Sequence, residues 1–296
     1  MTVQSTTAQP TTAQPEGVDA AESATGHQRL RQRYGAEQHW QPPAWNQTLD
    51  VLLRHRSVRQ WRDEPVDDAT LRTLIAAGQS GSTSSNQQIV SVVAVRDPER
   101  KQALAEVGGP RQAGHISTAP VVLVWLIDYS HARRLAEQAG AQIPGQEYLD
   151  AVLVAATDIG IAGQNTVVAA ESLGLGAVFL GSLRNDVDRV AEILNLPEGV
   201  VAFLGLEIGH PDPEEPAGIK PRLPQEAVLH FEEYDADRAA AAYAGYDDTL
   251  AEYYAGYGQQ HVWSRQLLKR LSEKATTSTQ RHLLRRAFEK AQLKLR

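Results

Sequence analysis

The 296-residue chain contains no cysteine. That excludes disulfides, thiolate metal ligands, a cysteine nucleophile and cysteine-held iron–sulfur clusters, and it fits a reducing compartment. Long apolar runs are missing too: no uninterrupted stretch reaches the roughly 20 residues a membrane helix needs, so no membrane partner is expected. The N-terminus has no basic segment followed by an apolar one, the mark of export, and the expected location is the cytoplasm. The formal net charge of -7 argues against a general nucleic-acid binder, which needs a positive field over the phosphate backbone. The nine histidines never fall at His-x-x-x-His or Glu-x-x-His spacing on a predicted helix, so no metal site is expected. Neither a G-x-S-x-G elbow nor a G-x-x-x-x-G-K-[ST] loop occurs, which removes the local anchor for serine-hydrolase and P-loop chemistry.

What remains is a globular composition, 42% hydrophobic and 22% charged, with enough length to bury a sizeable core without staples. Charge is unevenly placed: from Arg265 to Arg296 ten Lys or Arg face two Glu. An amphipathic helical tail packing on the acidic remainder accounts for this better than a nucleic-acid surface, because almost no aromatic residues interleave the basic ones. Residues 1–26, rich in Thr, Ala, Gln and Ser with TTAQP in tandem, predict a disordered tail. Residues 27–45 predict a surface arm or linker anchored by Trp40 and Trp45, and residues 46–296 the folded domain, C-terminal helices included.

Within that domain, Leu49, Val51, Leu52 and Leu53 predict a short helix, and Leu71, Leu74, Ile75 and Ala76 a second one opened by Asp67 and Asp68. Ile89–Val95 and Val121–Ile127 are apolar without alternation and predict strands covered on both faces. Pro98–Val107 and Val187–Leu194 predict helices, Val200–Ile208 a strand, and Val228–Phe231 an edge strand. Small residues at three- and four-residue steps between Glu147 and Leu173 predict a long helix able to pack closely in the centre of a domain or dimer. The remainder predicts helices over Asp237–Ala255 and Leu267–Leu295.

Three elements carry chemistry. His55-Arg56-Ser57-Val58-Arg59 places a basic cluster just past a helix end, either a plain helix stop or an anion site. Ser80-Gly-Ser-Thr-Ser-Ser-Asn86 is a hydroxyl-rich loop, either a flexible linker or a ligand loop at a strand's mouth. Lys220-Pro-Arg222-Leu-Pro224 is a second dense basic element. Together they suit a phosphorylated ligand, with Arg and Lys on the phosphate and loop groups on a ring.

HRSVRQW, the serine loop, AGQNTVVAAESLGLGAVFLGSLRN, the Gly-His-Pro turn and KPRLP occur in order between Trp45 and Arg296. In this combination the chain resembles the flavin-dependent nitroreductase superfamily, in its NADPH-preferring branch of major nitroreductases and flavin reductases. The resemblance implies an α+β fold, a central mixed sheet flanked by helices, forming a homodimer through a long interface helix, with FMN bound across the dimer boundary. His55, Arg56, Ser57 and Arg59 match the family's first FMN segment, and Lys220 and Arg222 its phosphate-proximal pair. Thr83, Ser84 and Ser85 match the hydroxyl loop, Gln112 a glutamine facing the flavin edge, and Phe179, Leu180, Gly181 and Ser182 the turn presenting amides to the N5 side.

The resemblance implies a ping-pong cycle in which NADPH or NADH reduces the flavin and a small-molecule electron acceptor, such as a nitroaromatic, a quinone or free flavin, then takes two electrons. It implies no protein acid or base, and it places Arg59 where positive charge stabilises the reduced ring. Two departures stand out. Serine replaces the second of two family glycines at Gly181-Ser182, which keeps amide donation only at negative φ or with a shifted loop. Tyr257 stands where the branch has an arginine for the NADPH 2'-phosphate, which predicts weaker NADPH selectivity. A flavin-binding or sensory protein with little turnover is the competing reading.

Overall fold

A computed structural model describes residues 20–35, 40, 42 and 44–296. Most of the tail expected over residues 1–26 lies outside them. Its last residues do not continue such a tail: α1 spans Ala20–Tyr34, crossing the expected boundary with the arm. The chain divides into two compact units, one taking Met1–Arg54 with Pro221–Tyr243, the other His55–Lys220 with Ala244–Arg296.

In the first unit, α2 covers Gln47–Leu53, capped by the Asn46 side chain, which accepts from Leu49 N at 3.0 Å. Arg29 pairs with Asp50 at 2.8 Å and Arg33 donates to Leu53 O at 2.9 Å, which ties α1 to α2. Trp45 is buried against α1, where a Cβ on Gly26 would stand 2.7 Å from its ring. Val228–Phe231 is not a strand: a short 3-10 turn at Gln225–Ala227 precedes it and no ladder partner exists among the described residues. Val228 and Phe231 remain exposed, since β propensity without a neighbouring edge gives no sheet.

The second unit holds a four-stranded sheet: β1 Val90–Val95, β2 Val121–Asp128, β3 Gly176–Leu180 and β4 Val200–Gly209, ordered β1-β2-β4-β3. All three strand pairs are antiparallel, and a single Ser57–Ala177 bridge supplies the parallel element of the mixed sheet. Alternation along β2 divides the interior. Val121, Leu123, Trp125 and Ile127 face one core, Val122, Val124 and Leu126 the other. β2 is therefore covered on both faces as expected, whereas β1, an edge strand, is only half-buried.

Helices α3 Asp68–Gln79 and α7 Leu149–Ser172 pack on the first core, and α4 Pro98–Gly108, α5 Ala113–Thr118 and α8 Val187–Leu194 on the second. Each of α3, α4 and α8 starts at an aspartate N-cap, Asp67, Asp97 or Asp186, whose carboxylate accepts from an amide three residues on. A further helix, α6 Ser130–Ala139, was not legible as a separate element. α7 has the length and hydropathy of a membrane span, but it serves as a core helix with Ala155, Ile159, Gly163 and Ala170 turned inward. It stops at Gly174, whose φ of 80° only glycine adopts freely, with Leu175 N returning to Ala170 O at 2.9 Å.

The helical segments beyond Asp235 are more broken than their periodicity predicts. α9 Ala236–Tyr243 in the first unit and α10 Tyr246–Ala255 in the second are separate helices. The basic tail forms three short ones, α11 Trp263–Arg270, α12 Glu273–Thr277 and α13 Leu284–Lys290. Lys294 and Arg296 pair with Glu147 at 2.7 and 2.8 Å, and Lys290 with Asp188 at 3.0 Å, so the tail's cations meet acidic residues of the body.

Candidate functional site

The basic cluster leaves the C-cap of α2, Arg54, in extended backbone beside β3. Ser57 bridges Ala177, and Val58 N donates to Ala177 O at 3.1 Å. This approach requires Gly176, since a Cβ there would lie 2.6 Å from Val58 Cγ2. His55 Nδ1 sits 2.5 Å from Glu171 Oε1 near the end of α7. Glu215 receives Arg56 Nη1 at 3.1 Å on one oxygen and Arg59 N at 2.8 Å on the other. His55 and Arg56 are thereby anchored by carboxylates. Arg59 differs: its side chain is exposed and makes no hydrogen bond or ion pair among the described residues, leaving a cation available to a ligand.

Gln112 is the residue before α5. Its Oε1 lies 2.9 Å from Nε2 of His115, one turn on, and His115 Nδ1 lies 2.7 Å from Glu207 Oε1 on β4. Glu207 is 0% exposed and the His115 side chain 9%. Burial pushes the Glu207 carboxyl up, opposed by the His115 hydrogen bond and charge, the Trp61 indole and the Arg59 charge. Its second oxygen and Trp61 Nε1 are both buried without a completed hydrogen bond, so the indole acts through its dipole. Gly108 brings Gln112 to the turn after β3: a Cβ on it would stand 3.3 Å from Gln112 Cβ and 3.5 Å from Ser182 Oγ. That hydroxyl is buried and has no partner.

In Phe179-Leu180-Gly181-Ser182 the first two side chains belong to the core. The Phe179 ring packs towards Gly163 of α7, and Leu180 is buried among the second core's residues. Gly181–Asn185 forms a 3-10 turn. Neither Gly181 nor Ser182 has positive φ, so serine meets the condition for amide donation that the sequence set. Arg281 holds this turn from the tail, donating through Nη2 to Gly181 O at 2.5 Å and through Nε to Asn185 Oδ1 at 2.9 Å. Arg184 donates to Phe203 O at 2.9 Å.

The hydroxyl loop is held from beneath. Asp158 of α7, 3% exposed, accepts from Ser84 N at 3.1 Å. Ser85, Asn86 and Gln88 take left-handed φ of 51°, 52° and 53°, a strained run for non-glycine residues. The Thr83, Ser84 and Ser85 hydroxyls make no hydrogen bond among the described residues. Lys220 ends the first segment of the second unit, with Nζ 5.4 Å from the Tyr254 ring centroid. Tyr254 stacks on His261 at 4.2 Å, and Tyr253, whose hydroxyl donates to Gly218 O at 3.1 Å, lies 5.1 Å from Tyr257. Burial and the Tyr257 hydroxyl push Tyr253 up to about 12. Arg222 falls in the first unit, exposed, its amide donating to Arg33 O at 2.7 Å.

Within the second unit the structure thus gathers Arg59, Gln112, Gly181 and Ser182 through Glu207, His115 and Gly108. The sequence singled out none of those last three. Glu207 carries a legible signal, a lone charge in an otherwise apolar strand; His115 and Arg281 carry none. The donor set suits a phosphorylated ring ligand: an unengaged guanidinium, unspent hydroxyls, an orphaned buried hydroxyl and an amide at a half-buried turn. No group of metal-binding side chains occurs among the described residues.

Family models match over most of the chain, the nitroreductase family over residues 52–210 and the nitroreductase family C-terminal domain over 220–296. An NADPH-dependent oxidoreductase of Staphylococcus haemolyticus is 38% identical over 231 residues, 76% of this chain and 91% of that protein. The hypothetical oxidoreductase YcnD of Bacillus subtilis superposes with a TM-score of 0.79 at 34% identity, covering 84% of this chain and 99% of the other. The NADPH:FMN oxidoreductase of Vibrio harveyi, solved with NAD+, gives 0.71 at 35%, covering 85% and 100%. With its gathered ring site and these matches, the chain belongs to the nitroreductase family as an NAD(P)H-dependent flavin oxidoreductase.

Proposed function

We propose that the protein binds FMN and, as a homodimer in the cytoplasm, passes electrons from NADPH or NADH to small-molecule acceptors, among them nitroaromatics, quinones or free flavin. The observation that carries this reading is the convergence of the unengaged Arg59 with Gln112 and the Gly181–Ser182 turn. FMN when bound supplies the two-electron chemistry. The chain's part is to hold and bias it. His55 and Arg56, fixed by Glu171 and Glu215, set the path of the basic strand, and Arg59 presents a fixed positive charge at the ring's electron-rich edge. Ser57, the Thr83–Ser85 hydroxyls and Lys220 serve the ribityl and phosphate side, while Arg222, in the other unit, has the family resemblance as its support. Exposed Tyr148, Leu149 and Leu153 on or beside the first turns of α7 suit the dimer contact.

For the electron donor, Tyr257 packs by Tyr253 and Gly218 and offers no cation to a 2'-phosphate, which favours weak discrimination between NADPH and NADH. The test begins with the purified protein's absorbance spectrum. A bound yellow flavin bleached within seconds by NAD(P)H supports the enzyme; a flavin that stays oxidised supports the sensory reading. An NADPH advantage in kcat/KM above about tenfold would overturn the weak discrimination.

A further inference from the structure

We infer that Glu207 and His115 form a buried positioning relay that decides whether the Gln112 amide meets the flavin as a hydrogen-bond donor or as an acceptor. The inference rests on the flavin reading above and extends it to residues that touch no ligand.

The geometry leaves little freedom. Glu207, wholly buried on β4, can only accept when ionised, so His115 Nδ1, 2.7 Å away, carries the proton of that bond. The other nitrogen faces the Gln112 amide at 2.9 Å. With a proton on both ring nitrogens, Nε2–H donates to the amide oxygen and the NH2 group points outward as a donor. With Nε2 bare, the amide turns over, its NH2 donates inward, and its oxygen faces outward as an acceptor. Which end faces out is therefore read from the proton on His115. Gln112 Cβ and Ser182 Oγ lie 3.3 and 3.5 Å from the place a Cβ on Gly108 would occupy, so the Gln112 side chain starts out beside the Gly181–Ser182 turn.

The surroundings allow the relay to hold a net proton. Around the pair stand Arg59 and the neutral Trp61 from the His55–Trp61 stretch, both acting on Glu207. Lys101 of α4 donates to Ala119 O at the end of α5, and the neutral Ser182 comes from the turn. β2 and β3 face Glu207 with Val122 and Val178. The Glu207 carboxylate is thus the only acidic group among these, and it sits on the far side of the imidazole from the amide. Acting through another residue, Glu207 and His115 are positioning residues.

The experiment follows the bound FMN spectrum and the FMN dissociation constant from acid to alkaline pH in the holoenzyme. Reversing one hydrogen bond at the ring should change FMN affinity about fivefold across a single ionisation. Gln112→Met, which removes the amide and leaves the Glu207–His115 pair intact, should make spectrum and affinity insensitive to pH although the His115 ring still titrates by 15N NMR. Glu207→Gln, which keeps the shape and removes the charge, should move the wild-type transition to lower pH. A flavin signal that still titrates in Gln112→Met would show the histidine charge acting directly through space and would overturn the relay. A bound flavin whose spectrum and affinity ignore pH in the wild type would also overturn it. Wild-type protein that takes up no FMN on reconstitution would overturn the flavin reading itself, and the relay's assigned role with it.

Discussion

Two segments carrying proposed site residues are held in opposite ways. The turn Gly181–Asn185 is clamped by Arg281, whose two donated bonds come from 100 and 96 residues away in sequence, and its glycine and serine sit at ordinary negative φ. The loop Thr83–Asn86 rests on one buried carboxylate, Asp158, through Ser84 N, and its own backbone is strained at Ser85 and Asn86. The turn is stiff because remote charge satisfies its carbonyl; the loop keeps its hydroxyls unspent because its support enters through an amide. In the proposed FMN site, a rigid ring needs a wall of the first kind, whereas a flexible ribityl chain is better met by the second.

The largest expected effect tests the clamp. Arg281→Ala removes two charge-assisted bonds and leaves the Gly181 carbonyl unsatisfied, so urea unfolding should show a loss of about 2 kcal/mol, allowing for partial exposure. If stability and flavin spectrum both remain those of wild type, the clamp is not what stiffens the turn.

Next is Asp158→Asn, which weakens the bond to Ser84 N and should cost about 1 kcal/mol, with faster proteolytic nicking in the Ser80–Asn86 loop. This change has a pH signature. Tyr129 is held up at about 12, first by burial and then by the charges of Asp150 and Asp158. A folded value above the unfolded one means that the contribution of Tyr129 to stability is complete below about pH 10 and is lost as pH rises through about 12. In Asp158→Asn the folded value should fall, so the loss still begins near pH 10 but ends at lower pH and is smaller, which alkaline titration of tyrosine absorbance would show; an unmoved transition would mean that the carboxylate does not reach the ring.

Two smaller effects sharpen the contrast. Ser85→Gly relieves a left-handed residue and should raise the melting temperature slightly, by the equivalent of about 0.5 kcal/mol once glycine's greater chain entropy is subtracted. Gly181→Ala should change stability by less than about 0.5 kcal/mol, because φ is not positive there and the added methyl meets only the flexible end of Arg184, at 3.2 Å. A large loss in Gly181→Ala would show that glycine is needed there for close approach of the ring.

The sheet and its covering helices were legible wherever period and burial agree. Val187–Leu194 is both the predicted and the observed helix, because an aspartate cap and an amphipathic period mark the same residues. Val228–Phe231 misled for the opposite reason: its β-branched and aromatic residues meet no strand. The Asp237–Ala255 and Leu267–Leu295 periods ran through breaks at Ala244-Gly245 and at Ser272 and Thr279, where turn residues end one helix and cap the next. Of the proposed site, the cations and hydroxyls could be named from sequence because binding a phosphate and a ribityl chain would call for those side chains. Glu207 was marked only as a lone charge in an apolar strand, and His115 and Arg281 could not be placed, since nothing local tells a buried charge from a solvated one.

By itself the sequence determined the cysteine-free chemistry, the family pattern from HRSVRQW to KPRLP, and the long small-residue helix, since all three are properties of order and spacing along one chain. Only the tertiary structure decided what each side chain is free to do. Arg56 and Arg59 stand three residues apart and look alike in the sequence, yet Glu215 engages the guanidinium of one and only the backbone amide of the other. The physical reason is that a charge's role follows from its partners and its distance from water, and both are set by residues more than a hundred positions away.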